Sequence, residues 1–148
     1  SENNDSIQLW SYDEQNRLQS VKFYNKNGLF GSGKRFDYNK EGTHIIREYY
    51  LSENGIGKNE DFDVEGLEYS LNGEGDLPIL QIFINEYKQF KKCNDGYYAV
   101  RTWEDDKQRV VKQLYYDVDG TPMKSKSGVF GVKVEYLDVE TTKRINLL

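Results

Sequence analysis

The stretch RVVKQLYYDVDG, residues 109–120, decides how this chain is read, because its second half recurs. Tyr115-Tyr116-Asp117-Val118-Asp119-Gly120 is an aromatic pair running into a polar turn closed by glycine. The same phrase stands at Phe23-Tyr24-Asn25-Lys26-Asn27-Gly28 and, one residue longer, at Tyr49-Tyr50-Leu51-Ser52-Glu53-Asn54-Gly55. The starts at 23, 49 and 115 lie 26 and 66 residues apart, and 66 is twice 33, so a degraded copy is due near residue 82, where Ile82-Phe83-Ile84 stands. A second phrase repeats independently: Gly96-Tyr97-Tyr98-Ala99-Val100-Arg101-Thr102 aligns without gaps on Gly128-Val129-Phe130-Gly131-Val132-Lys133-Val134 at a spacing of 32. A fixed period of this size marks a tandem array, in which one unit is a supersecondary element that cannot bury its own apolar face and must be covered by its neighbours.

Outward from these phrases, short strand patterns alternate with polar turns. Residues 7–12 (IQLWSY) and 18–24 flank the turn formers Asp13-Glu14-Gln15-Asn16 and read as a hairpin. Gly31-Ser32-Gly33 reads as a loose connection to Arg35-Phe36-Asp37-Tyr38, which Asn39-Lys40-Glu41-Gly42 turns into the strand 44–51. Residues 66–71 alternate strictly between apolar and polar, as a strand with one buried face does. Asn72-Gly73-Glu74-Gly75-Asp76 turns that strand, and Pro78 opens 79–84 at a strand start, where its missing N–H is tolerated. Residues 85–92 (NEYKQFKK) fit either a loop or a short helical turn. Glu104-Asp105-Asp106-Lys107 and Leu137-Asp138-Val139-Glu140 turn the last two units, and 143–148 forms the final strand.

The fold expected is all-β: an antiparallel meander of about five imperfect hairpin repeats, an extended or curled sheet of about ten short strands. The alternative is a closed up-and-down barrel. Residues 1–6 are expected to be a disordered tether and 7–148 a single domain. Composition agrees, since 148 residues suit one domain, and the apolar residues are Tyr, Phe, Val and Ile far more than Ala or Met. At 36% hydrophobic and 14% aromatic, the core must be thin and aromatic.

The net charge of −5 would repel phosphate backbones, so nucleic acid is not an expected partner. No run approaches the ~18 apolar residues that cross a bilayer, so membrane insertion is not expected either. Cys93 is the only cysteine and His44 the only histidine, so no zinc quartet, intramolecular disulfide or histidine-bearing catalytic pair can be assembled. The closest approach to a calcium loop is Asp61-Phe62-Asp63-Val64-Glu65-Gly66, which fails where Asn72 stands in place of the closing bidentate Glu. Asp-Gly phrases are hairpin-turn signals before they are ligand sets. No metal, cofactor or catalysis is therefore expected.

The phrase aromatic–Tyr–Asp–x–Asp–Gly–x–Pro at 115–122, followed by a glycine-led strand and an acidic turn, resembles bacterial tandem β-hairpin repeats. The tyrosine-aspartate repeats of the RHS class and the MORN-variant repeats with Tyr-Tyr-x-x-Gly phrases are the kinds most similar. That resemblance implies a continuous antiparallel sheet serving as a scaffold, wrapper or interaction surface without catalysis. Residues 1–6 resemble in addition the polar tether that follows the lipidated cysteine of bacterial surface lipoproteins, which implies a cell-surface or periplasmic setting; an ordinary disordered terminus is the other reading.

The aromatic pairs supply the candidate site. Adjacent tyrosines in a strand point to opposite faces, so one member of each pair is expected in the core and the other in an outer row. Tyr24, Tyr50, Tyr98, Trp103 and Tyr116 are the candidate binding residues of that row, because tyrosine offers a large rigid surface with a polar tip. The function expected is a non-enzymatic scaffold or recognition module binding protein or glycan through this face. A small-molecule carrier with a barrel cavity is the alternative. The final strand is an edge without a charge after Arg144, so it is expected to join a further repeat or a second copy, giving a homo-oligomer.

Overall fold

A computed structural model of the chain describes residues 6–70 and 75–148. The tether expected at residues 1–6 lies outside them except for Ser6, and so do Asn72, Gly73 and Glu74 of the third turn. The strands are β1 (Ile7–Tyr12), β2 (Leu18–Tyr24), β3 (Phe30–Tyr38), β4 (Ile45–Ser52), β5 (Gly55–Ile56), β6 (Gly66–Ser70), β7 (Leu80–Ile84), β8 (Ala99–Glu104), β9 (Val110–Tyr116), β10 (Gly131–Tyr136) and β11 (Thr142–Leu147). They form one antiparallel meander in the order β1-β2-β3-β4-β6-β7-β8-β9-β10-β11, with the two-residue β5 paired to β4. The five expected hairpins are all present. The sheet is not closed, because β1 and β11 are its two edges, and the barrel alternative is thereby corrected.

The turns repeat one device. Residues 13–17, 25–29, 85–89, 93–97, 105–109, 117–121 and 125–129 each close with the N–H of the first residue donating to the carbonyl of the fifth, and the N–H of the fourth donating back to the first. The fourth residue has positive φ, as at Gly96 (93°) and Gly128 (85°), and also at Lys88 (67°) and Gln108 (62°). An Asx side chain opens most of these turns. Asp105 Oδ1 accepts from the N–H groups of Lys107 and Arg109, and Asn85 Oδ1 from those of Tyr87 and Gln89. The aspartates Asp13, Asp105 and Asp117 that open turns are thus committed to the backbone, the local bonding that makes Asx a turn former. Residues 85–92 form such a turn and no helix.

At the end of the sheet that holds residues 13–17 and 105–109, a second device recurs. The Arg17 guanidinium is bonded to Asp13 and lies 4.7 Å from the centre of the Tyr38 ring, whose hydroxyl donates to the Leu18 carbonyl at 2.7 Å. Arg109, Asp105, Tyr136 and the Val110 carbonyl repeat this with 4.2 Å and 2.7 Å. Each tyrosine is the last residue of its strand and clips the neighbouring hairpin.

Register corrects the repeat frame by one residue. Cross-strand partners share a face, and the pairs Lys34–Tyr50, Leu67–Phe83 and Val100–Tyr115 put Tyr50, Phe83 and Tyr115 on one face, here face A. Phe23 shares it through Val21, which pairs with Lys34. The true equivalents are therefore Phe23, Tyr50, Phe83 and Tyr115, and Tyr49 and Ile82 point to the opposite face B. Gly31-Ser32-Gly33 also proves to be part of β3 and no connection. The extra residue in the phrase at 49–55 shifts the frame, and a one-residue shift flips a side chain across the sheet.

The shorter first interval has a structural cause. Beyond β4, β7 and β9 the chain does not turn straight into the next strand; it makes a flap, residues 57–65, 85–98 and 117–130, folded over face A. Equivalent bonds anchor the flaps: Gly57 N–H to the Tyr50 carbonyl, Lys91 to Phe83, Met123 to Tyr115. Others chain them together, Asn94 N–H to the Phe62 carbonyl and Lys126 to Asp95. Between β2 and β3 only the turn 25–29 stands, and no flap forms.

The main core lies between flaps and face A: Val64, Cys93, Tyr97 and Val129 from the flaps, with Leu67, Phe83, Val100 and Tyr115 from the sheet. Face B carries a smaller cluster of Leu80, Ile82, Ala99 and Tyr116, flanked by Leu114 and Val118. Towards β3 and β4 face B becomes ionic, where Arg47 reaches Glu68 at 2.9 Å and Asp37 at 3.6 Å. All six residues of β1 are exposed.

Candidate functional site

Tyr97 and Tyr115 stack nearly parallel, 7° apart with centres separated by 3.9 Å, and Phe83 and Phe62 continue the aromatic run. Tyr97 comes from the second flap and Tyr115 from β9, so their contact exists only because the flap folds back onto face A. Beside them lies a cleft of about 640 Å³ lined by Asp61, Phe62, Asn94, Asp95, Tyr97, Gln113, Tyr115 and Arg144. Two flaps supply Asp61, Asn94 and Asp95; β9 supplies Gln113, and β11 supplies Arg144. The cleft is a product of the flaps, the sheet and the last strand together.

Its chemistry is that of planar hydrogen-bonding groups around phenols. Burial pushes the Tyr97 hydroxyl well above its ordinary value of 10, reinforced by Cys93, Tyr115 and Asp95 nearby. Burial raises Tyr115 as well, against the opposing pull of the Arg144 guanidinium. Both phenols therefore remain neutral donors at physiological pH. A smaller cleft of about 370 Å³ adjoins it through Asp61 and is lined by Gly31, Ser32, Gly33, Tyr50, Leu51, Lys58, Asn59 and Glu60. There burial, with the Glu48 carboxylate adding to it, pushes Tyr50 up to about 12.

The five tyrosine-row candidates do not converge. Tyr50 is on face A, half-buried in the smaller cleft. Tyr24, Trp103 and Tyr116 are on face B, as their partners Ile7, Lys112 and Ala99 show. Tyr116 is only 9% exposed, beneath the Arg101 guanidinium at 5.1 Å. Tyr98 precedes β8, half-buried, with the Lys92 ammonium over its ring. Among the described residues only Tyr12 and Tyr87 are exposed tyrosines, so the expected outer row does not form. The pair Tyr115-Tyr116 alternates as expected, but both faces of β9 are covered.

Sequence reasoning passed over Asn94, Asp95 and Gln113, which stand in turns or at polar strand positions, and named Asp61 only in the loop weighed for calcium and Arg144 only as the last charge of the edge strand. The repeat itself held a signal, since Tyr97 falls 33 residues after Val64 and 32 before Val129, both buried flap positions. In the loop weighed for calcium, Asn59 Oδ1 accepts from the N–H groups of Asp61 and Phe62, and Glu65 is held by Lys91 at 3.1 Å. Exposed His44 and buried Cys93 stand at opposite ends of the strands. Among the described residues no three His, Cys, Asp or Glu side chains are grouped to hold a metal ion. No helix of the described residues is long and apolar enough to cross a membrane. No protein-family model matches the chain, and no curated protein matches it in sequence.

Proposed function

We propose that this chain is a non-enzymatic repeat scaffold that recognises a glycan in the face A cleft. The observation that carries the reading is the lining itself: two carboxylates, two carboxamides and a guanidinium arranged around the Tyr97–Tyr115 stack. Planar polar side chains pair with adjacent sugar hydroxyls, and about 640 Å³ is within the range of small-ligand sites. The raised phenols serve as donors, and the half-buried Phe62 offers an apolar edge.

Binding of a protein is the second reading, favoured by a different surface. Trp10 of β1 and Phe23 of β2 are both exposed on face A at the single-layer end of the sheet, and large exposed aromatics of this kind occur at contact surfaces. Amide NMR titration with neutral mono- and disaccharides separates the two. Saturable shifts at Asn94, Asp95, Gln113 and Arg144, abolished by Asp95→Ala and Gln113→Ala in a folded chain, are the expected result. Shifts that are absent, or that survive both substitutions, would overturn the glycan reading.

A further inference from the structure

The cleft beside the Tyr97–Tyr115 stack and the smaller cleft over β3 share one wall residue, Asp61. Together they make a groove on face A that starts at Gln113 and Arg144, passes the second and first flaps, and ends on Gly31, Ser32 and Gly33. The two flaps are fastened where the clefts meet, by the Asn94 N–H donating to the Phe62 carbonyl at 2.9 Å. Asp61 and Asp95 flank that bond, each the chain neighbour of one of its partners. On β3 the floor is two glycines and a serine, so a bound chain can lie close to the backbone there.

The charge of this groove is one-sided. Glu60, Asp61 and Asp95 follow one another along it, and among the described residues none of the three carboxylates has a hydrogen bond or an ion pair. Other acids of the first flap are taken: Asp63 lies 3.4 Å from Lys58, and Glu65 is held by Lys91 at 3.1 Å. The first of these contacts also occupies Lys58, the one cation lining the smaller cleft among the described residues. Lys34 of β3 is bound to Glu48, and Arg144, at the far end of the groove, sits against the Tyr115 phenol. Three unpaired carboxylates thus share the groove with one guanidinium, on a chain whose net charge is −5. They are also spaced, since among the described residues no three His, Cys, Asp or Glu side chains are grouped to hold a metal ion. Single charges at intervals suit a chain that carries its own charges at intervals, whereas a divalent cation needs its oxygens converged on one point.

We propose that the glycan of the reading above, on which this inference rests, is a linear chain of amine-bearing sugars lying along the whole groove. Its protonated amines answer Glu60, Asp61 and Asp95, and charge-assisted hydrogen bonds of this kind are about twice as strong as neutral ones. Asn94 and Gln113 take sugar hydroxyls between them. An N-acetylated chain of the same length brings neutral amides to the same places and leaves the carboxylates unanswered. A chain of uronic acids meets like charge there, the repulsion by which a site rejects a wrong partner.

The test adds a linear glucosamine tetramer, or its fully N-acetylated counterpart, to the isotope-labelled 148-residue chain at slightly acidic pH, where the amines are charged. The amine tetramer should bind about tenfold more tightly than the acetylated one, with amide shifts at Ser32, Glu60, Asp61, Asp95 and Gln113 and a loss of affinity in added salt. Glu60→Gln combined with Asp61→Asn, both at exposed positions, should remove most of that preference and leave binding of the acetylated tetramer unchanged. Equal affinity for the two tetramers would overturn the amine assignment and leave the glycan reading standing. No binding of either would overturn both. The proposal also fails if the preference survives the double substitution, if the shifts stay within one cleft, or if a tetralysine peptide binds as tightly as the amine sugar.

Discussion

Phe23 and Phe83 hold the same place in their hairpins, two residues before a turn-opening asparagine and on the same face, yet Phe83 is fully buried and Phe23 is 36% exposed. The strands around them are alike in pattern; what differs is the flap. Where residues 57–65, 85–98 and 117–130 fold over face A they convert a single sheet into a two-layer body, and Val64, Tyr97 and Val129 close the core from above. Around β1–β3 the sheet remains one layer thick. A hairpin repeat cannot bury its own face, and here the six residues missing between β2 and β3 are the ones that would have covered it.

The strongest way to break this comparison is to truncate the equivalent residues. Phe83→Ala should cost about 3–5 kcal/mol in urea unfolding, the range for a fully buried aromatic. Phe23→Ala should cost no more than about 1 kcal/mol. Equal losses would mean that the flaps do not define the core. Gly66→Val should cost about 1–3 kcal/mol, because its new Cβ would meet the Glu48 carbonyl oxygen and the Tyr49 ring. Ser20→Val, which meets no glycine contact of this kind and loses only an exposed hydroxyl contact to Ser11, should stay within about 0.5 kcal/mol.

The clips sharpen the comparison from the other side, since they are alike in both halves. Tyr38→Phe and Tyr136→Phe each remove one hydroxyl-to-carbonyl bond of 2.7 Å and should each cost about 1 kcal/mol. A clear inequality between them would show that the clip depends on the layer beneath it. The smallest effect concerns acid. The backbone N–H of Arg17 holds Asp13, and that of Arg109 holds Asp105, below the usual 3.8. Their contribution is complete above that value and disappears as the pH falls through the depressed folded-state values. Asp105→Asn keeps the turn acceptor, as Asn85 shows, and should flatten this loss in unfolding curves recorded as the pH falls below 3.8.

Much of the fold was legible because turns and alternation are local. Residues 7–12 and 18–24 are strands with the bounds their pattern indicates, and the Asx turns stand where the polar clusters do. The site was not legible, because alternation assigns a side chain to a side of the sheet without saying what covers that side. Tyr116 reads as an outer residue, and it is covered by Arg101 and its neighbours on face B.

By itself, the sequence determined the all-β class, the five hairpins and the period near 33, since each follows from residue propensity and spacing along the chain. Only the tertiary structure decided that the extra residues of each full repeat become flaps, that the frame slips by one at Tyr50, and that Asp61, Asp95, Gln113 and Arg144 meet around one tyrosine stack. Those outcomes depend on contacts between residues as far apart as 61 and 144, and no local pattern encodes which distant surfaces will exclude water together.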